Sequence, residues 1–156
     1  MGRRSALWPV AVSLTACLLA ACAQTMSKAE YTKLVQSAEK QRSTALAGFS
    51  SAQTSDASFY RGAAKDLRAT AASLEDVAAP SDISAANESY IASLTGLAGV
   101  MESFAQCAEL DKKHASVAAS GQDCRREIDQ ARLDEVQNDF DEAAAIFRAK
   151  GYSLTA

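Results

Sequence analysis

The chain has 156 residues, of which 48% are hydrophobic, 22% are charged and 6% are aromatic. This apolar content excludes a disordered tail, and the small numbers of Gly (7) and Pro (2) exclude a collagen-like chain. The formal net charge of -3 argues against a nucleic-acid-binding protein, because such proteins are usually basic. Since Ala is abundant whereas Val, Ile and aromatic residues are sparse, the composition favours helix over sheet.

The first 21 residues have the pattern of a secretory signal peptide. Two basic residues, Arg3 and Arg4, precede an almost wholly apolar segment over 6–21, and no acidic residue occurs before Glu30. An apolar segment of this length is too short to be interpreted first as a transmembrane helix. We therefore expect residues 1–21 to be removed from the mature protein.

The end of this segment, Leu19-Ala20-Ala21-Cys22, resembles the lipobox of bacterial lipoproteins. The resemblance implies that the Cys22 thiol receives a diacylglyceryl group and that a dedicated signal peptidase cuts just before it. Residues 22–27 are then a lipidated tether, and residues 28–156 are a folded domain on the extracytoplasmic side of a bacterial cytoplasmic or outer membrane. Acyl chains such as palmitate contribute roughly 0.8 kcal/mol per buried methylene, so they hold a protein to the bilayer without a transmembrane helix.

Two alternatives compete with lipidation at Cys22. The segment Leu14-Thr15-Ala16-Cys17 also fits a lipobox, but cleavage there would leave the apolar residues 18–21 at the new N-terminus. Polar residues follow Cys22 instead, as is typical of a tether. The remaining alternative is an ordinary secreted protein, or an uncleaved anchor, that contains an incidental cysteine.

The cysteines support an extracytoplasmic location. Of the four, Cys17 leaves with the signal peptide and Cys22 carries lipid, so Cys107 and Cys124 remain as an even pair. In an oxidising compartment this pattern predicts one disulfide, with two buried free thiols as the alternative. Closing that loop would contribute roughly 3 kcal/mol on the chain-entropy account.

Four apolar stripes predict an all-α fold, namely an antiparallel four-helix bundle that forms a single domain. Their residues recur at spacings of three and four, and no segment alternates with period two for long enough to be a strand. The short connections favour antiparallel neighbours. The stripes comprise, in chain order, Tyr31, Leu34, Val35, Ala38, Ala45, Leu46, Phe49 and Ala52; Phe59, Tyr60, Ala63, Ala64, Leu67, Ala71, Leu74 and Ala78; Ile83, Ala86, Tyr90, Ile91, Leu94, Leu97, Ala98, Met101, Phe104, Ala105 and Ala108; and Ile128, Ala131, Val136, Phe140, Ala143, Ala144 and Phe147.

Capping and helix-breaking residues predict where these helices begin and end. Ser27 and Glu30 form a capping box at the start of the first helix. Pro80 ends the second helix, because the residue before proline is disfavoured in the helical region. A polar residue at 81–82 then caps the third helix. Gly151 is expected to end the fourth helix, after which the chain folds back over its end.

Two features of the third helix lead to further expectations. Gly96 and Gly99 lie inside it, where they either let a neighbouring helix approach closely or are simply tolerated. Paired positions in an antiparallel hairpin are symmetric about the turn, so the predicted disulfide places the turn near 115–116. We therefore expect helical regularity to be lost over 110–113 and Asp123 to cap the fourth helix.

The sequence lacks the common catalytic and metal-binding patterns. Its single histidine, His114, falls in the predicted polar loop and supplies too few ligands for a structural zinc site or a di-iron bundle. Motifs for phosphate loops, EF-hands and haem attachment do not occur. We therefore predict no cofactor, no metal and no enzymatic activity. Glu135, Asp139 and Glu142 share one helical face, which indicates either a site for a cation or basic partner or a solvated face.

The mature region resembles the small, Ala-rich helical lipoproteins of unknown function found in high-GC bacteria. The resemblance is carried by the turn Ala79-Pro80-Ser81-Asp82-Ile83 and by the ending Asp139-Phe140-Asp141-Glu142-Ala143 to Gly151-Tyr152-Ser153. It implies a helical domain and no particular activity.

The sequence therefore favours an interaction or scaffold module of the cell envelope. Its expected partners are the lipid bilayer, bound through acylated Cys22, and a protein of the envelope. The alternative function is a ligand-sensing bundle. In that case Tyr31, Tyr60 and Tyr90 are the polar groups expected to line a pocket.

Overall fold

The computed structural model describes residues 26–50, 56–113 and 130–154. Within these ranges the chain forms four helices and one short 3-10 turn, and none of the described residues belongs to a strand. The predicted all-α class is therefore confirmed for the described part of the chain. The helices are α1 (Lys28–Ser50), α2 (Ala57–Glu75), α3 (Ser84–Lys113) and α4 (Gln130–Ala149), and the 3-10 turn is Ser81–Ile83.

Helix α3 is the main packing element, because α2 and α4 both pack against it while α1 packs on α2. Arg61 and Arg68 of α2 form ion pairs with Glu109 and Glu102 of α3, respectively. Residues early in α2 thus meet residues late in α3, so these two helices run in opposite directions.

The core follows the predicted stripes closely. Apolar residues of all four helices are buried in one continuous cluster, and the largest side chains within it include Tyr31, Tyr90, Phe147, Leu94 and Met101. Burial of such side chains is the main favourable contribution to folding. Leu110 is the large apolar residue that the described surface exposes most, at 46%.

The start of α1 and the end of α4 are both capped as the sequence predicts. The Glu30 carboxylate accepts from the Ser27 backbone N–H at 3.1 Å, while the Glu30 N–H donates to the Ser27 hydroxyl at 3.3 Å. The Ser27 hydroxyl also donates to Oε2 of Glu30 at 2.5 Å, and this bond together with the one from the Ser27 N–H lowers the pKa of the Glu30 carboxyl. At the other end Gly151 has a φ of 73°, and the N–H of Tyr152 donates to the Phe147 carbonyl at 2.8 Å. This is a Schellman motif, so the predicted C-cap is confirmed.

The connection between α2 and α3 differs from the prediction. Helix α2 ends at Glu75, which leaves Ala78 exposed instead of in the apolar stripe. The chain has already left the helix four residues before Pro80, and it then enters the 3-10 turn rather than a side-chain cap. At its other end α3 runs on to Lys113, so the expected loss of regularity over 110–113 is wrong. The predicted cap at Asp123 lies outside the described residues.

The two glycines inside α3 both face side chains of α4. A Cβ placed on Gly96 would lie 2.6 Å from a Val136 methyl carbon, and one on Gly99 would collide with the Arg132 guanidinium. The pairs also place earlier residues of α3 against later residues of α4, so these helices run in opposite directions. Of the two interpretations that the sequence left open, close approach is the correct one for Gly96, whereas Gly99 faces only the flexible end of the Arg132 side chain.

Candidate functional site

The residues predicted to carry lipid and the disulfide are only partly within the described ranges. Cys22 and its competitor Cys17 lie outside them, as does Cys124. Cys107 lies on α3 with its side chain buried, at 3% exposure. Lipidation and the Cys107–Cys124 disulfide therefore stay predictions. Among the described helices, none has the length and apolar character needed to cross a membrane.

The prediction that the protein binds no metal concerns residues both inside and outside the described ranges. His114 lies outside the described residues. Within the described ranges, no three His, Cys, Asp or Glu side chains come together in a way that could hold a metal ion.

The three tyrosines proposed for a ligand pocket are core residues. Tyr31 and Tyr90 both pack around Phe147, with ring centroids 6.5 and 5.9 Å from it. Tyr60 lies elsewhere, stacked on Phe104 at 5.6 Å. All three are at most 5% exposed, so the structure brings two of them together and separates the third. Their rings fill space in the interior, which removes the feature on which the ligand-sensing alternative depended.

Each of the two clustered tyrosines uses its hydroxyl to join α1 to α3. The Tyr31 hydroxyl donates to Oδ1 of Asn87, and the Tyr90 hydroxyl donates to Oε2 of Glu39 at 3.2 Å. Burial raises the pKa of both phenols, and the Glu39 carboxylate raises that of Tyr90 further. Both hydroxyls therefore remain protonated donors at neutral pH, which suits a packing role.

A buried ion pair extends this polar cluster. Arg42 donates through Nη1 to Oε1 of Glu39 at 3.1 Å, and its guanidinium carbon lies 3.4 Å from the centre of the Phe140 ring. The Arg42 side chain is 9% exposed, and its Nε has no hydrogen-bond partner among the described residues. Sequence reasoning missed Arg42, although it occupies the gap between Ala38 and Ala45 in the α1 stripe. A charged residue at a position where the stripe requires a buried one was the signal that could have identified it.

A second polar feature is a groove on the surface between α2 and α3, with a volume of about 540 Å³. We call it the basic groove. Arg61, Lys65 and Arg68 recur at helical spacing along one side of it, opposite Glu102 and Gln106 of α3. This spacing was visible in the sequence, but the sequence alone did not reveal that α3 forms an opposite wall. The lining residues are Arg61, Lys65, Arg68, Glu102, Ala105 and Gln106.

The charges of the basic groove are only partly neutralised. Arg61 pairs with Glu109 at 2.6 Å, and Arg68 pairs with Glu102. The hydrogen bond from Arg68 lowers the pKa of Glu102, and the same bond raises the pKa of Arg68. Lys65, between the two arginines, makes no ion pair with any residue in the described ranges. The groove therefore keeps a positive centre on a chain whose formal net charge is negative.

Two of the three carboxylates on the acidic face of α4 are exposed, which fits both a solvated face and a site for a cation or basic partner. Glu135 and Glu142 are exposed and Asp139 is half-buried, and none of the three forms an ion pair with the described part of the chain. These carboxylates lie on a different helix from the basic groove, and the structure does not bring the two features together.

Comparisons with known proteins give no family for this chain: no protein-family model, no curated protein and no solved structure matches it.

Proposed function

We propose that this protein is a lipoprotein of the bacterial cell envelope that acts as an interaction or scaffold module and not as an enzyme. Acylated Cys22 anchors it on the extracytoplasmic side of a membrane, and the helical domain contacts a protein partner. The single observation that carries the proposal is the Leu19-Ala20-Ala21-Cys22 motif at the end of a basic and then apolar leader.

The described part of the domain is consistent with a role in binding. Its core is filled by apolar and aromatic side chains, and its buried tyrosines donate hydrogen bonds within the fold. General acid–base catalysis relies on groups with a pKa near the working pH. The raised pKa values of Tyr31 and Tyr90 move these groups away from that range.

The anchor is tested by mass spectrometry of the mature N-terminus after expression in a bacterium. We expect an acylated Cys22 as the first residue. Cys22→Ala should release the protein from the membrane fraction or stall its processing, whereas the matched variant Cys17→Ala should be lipidated normally. Acylation at Cys17, or a mature chain that begins elsewhere without lipid, would contradict the anchor.

The proposal also includes a disulfide between Cys107 and Cys124. Thiol labelling of the denatured, unreduced mature protein should find no reactive cysteine. Two labelled thiols would reject the pairing, since the acylated Cys22 is already blocked.

The absence of catalysis is tested at the single histidine. His114→Ala should leave the cellular phenotype of the wild type intact, whereas Leu94→Asp should abolish it by placing a carboxylate at a fully buried position. Loss of the phenotype in His114→Ala, with an unchanged thermal midpoint, would point to a catalytic or metal site instead.

A further inference from the structure

We propose that the basic groove is the docking site for an acidic segment of the partner protein, in which successive carboxylates contact Arg61, Lys65 and Arg68. The inference rests on the proposed interaction function and names the chemistry of its partner. It depends on the geometry of the groove and on the charges that the fold leaves unpaired.

The cationic side chains of the basic groove retain hydrogen-bond donors for a partner. Arg61 pairs with Glu109 through Nη2, and Arg68 donates its hydrogen bond to Glu102 through Nη1. Because a guanidinium carries five N–H donors, each arginine retains donors for a second carboxylate. Lys65 supplies a further ammonium group that has no acidic neighbour within bonding distance in the described ranges.

The length of the cationic row favours a chain over a small anion. Arg61 and Arg68 are seven residues apart on α2, which corresponds to roughly 10 Å at the helical rise. While each arginine stays paired with its glutamate, one carboxylate or phosphate can contact only part of this row. Several carboxylates along one peptide can contact the whole row. Glu102 and Glu109 would repel an acid placed directly opposite them, which limits how the peptide can lie in the groove.

The groove also lies far from the end of the bundle that continues into the predicted tether. Tyr31, near the start of α1, bonds to Asn87 near the start of α3, whereas Glu102 lies fifteen residues further along α3. That separation is roughly 22 Å at the helical rise. A partner protein can reach this position more readily than the lipid headgroups around the anchor, so we assign the groove to an acidic protein segment.

The test uses the full chain, purified from a whole-cell extract in a non-ionic detergent whether or not it is lipidated, and two synthetic peptides of equal length. One peptide is rich in Glu, and in the other every Glu is replaced by Gln. Fluorescence anisotropy should show binding of the Glu peptide only. Lys65→Glu should weaken this binding about tenfold or more, because it places like charges in contact. The control Lys40→Glu makes the same change of charge at an exposed position on α1 and should weaken binding less than about twofold.

Three results would overturn the inference. The first is equal binding of the two peptides, and the second is equal weakening by Lys65→Glu and Lys40→Glu. The third is Lys65-dependent binding to vesicles of anionic phospholipid without binding of the Glu peptide, which would assign the groove to a membrane. Because the peptide assay does not require lipid on Cys22, failure of the anchor and failure of the groove are separate results.

Discussion

The protein contains two kinds of arginine–glutamate pair, one in its interior and one on its surface. The Arg42–Glu39 side chains are 9% and 18% exposed, whereas those of Arg61 and Glu109 are 56% and 41% exposed. The interior pair is joined by Tyr90 and covered by Phe140, so it fixes the position of α1 against two other helices. The surface pairs can exchange their partners at little cost, because water solvates whichever charge is released.

The two kinds of pair serve different purposes, because the buried pair specifies the packing of the helices and the exposed pairs can bind another protein. A buried pair that loses one member leaves a charge without water or a partner, and it therefore specifies one packing arrangement strongly. An exposed pair leaves donors free for another protein. Changes to the interior pair should therefore cost the most stability, and changes to the surface pairs should cost the least.

Replacing one member of the buried pair should have the largest effect. Arg42→Met should lower the free energy of unfolding by about 3 kcal/mol, because Glu39 keeps its charge in a largely buried position. Adding Glu39→Gln should restore at least half of the loss, since the amide still accepts from Tyr90 without a charge. Urea denaturation measures both variants, and a double variant no more stable than Arg42→Met would refute the electrostatic explanation.

Gly96 faces a side chain of α4 and Gly62 faces open space, so alanine substitutions at the two positions should have opposite effects on stability. Gly96→Ala should destabilise the protein by about 2 kcal/mol, because the new methyl group meets Val136 and forces α4 away. Gly62→Ala should instead stabilise it by about 0.5–1 kcal/mol, since nothing lies within 4 Å of its added Cβ and alanine favours helix. Thermal unfolding followed by circular dichroism distinguishes the two, and the same sign for both would be evidence against close helix approach.

The buried phenols should make the protein sensitive to alkali. Their pKa values are raised in the folded state, so each contribution to stability is complete below the unfolded value of about 10 and is lost as the pH rises toward the folded value. Between pH 9 and 11 the free energy of unfolding should fall by up to about 1.4 kcal/mol for each tyrosine. Tyr90→Phe should lower stability at neutral pH but flatten this slope, and an unchanged slope would show that Tyr90 does not contribute to it.

Changes in the basic groove should affect stability least. Arg61→Gln combined with Arg68→Gln should leave the thermal midpoint within about 2 °C of the parent, because both ion pairs are exposed to water. The same double variant should lose most of its affinity for the Glu peptide. A large fall in the midpoint would mean that these arginines hold α2 to α3, and the contrast with the buried pair would fail.

Local rules predicted most of this fold because its helices follow them. Ser27 and Glu30 have the spacing of a capping box, Gly151 provides a left-handed residue, and the apolar stripes identify the core. Pro80 marks a boundary only on its N-terminal side, and it does not specify how many residues earlier α2 ends. The apolar pattern therefore extends past the end of α2, and the prediction that Ala78 belongs to the stripe is wrong.

The polar sites could not be predicted in the same way, because they depend on which helices become neighbours. The sequence places Arg42 at a core position of α1, but only the packing of α3 and α4 supplies Tyr90 and Phe140 around it. Likewise, the helical spacing of Arg61 and Lys65 does not reveal that α3 completes a groove.

The packing of Tyr152 constrains when the chain can finish folding. Its ring lies 6.0 Å from that of Tyr31, and its hydroxyl donates to Asp82 at 3.3 Å, so the last described turn closes contacts with the first helix and with the chain before the third. The first contact spans most of the sequence and the second spans 70 residues, so both must close a long loop before they form. A chain emerging N-terminus first, from a ribosome or through a membrane pore, cannot complete this aromatic cluster until Tyr152 has emerged. The turn after α4 thus delays completion of the native packing until all of the described helices are available.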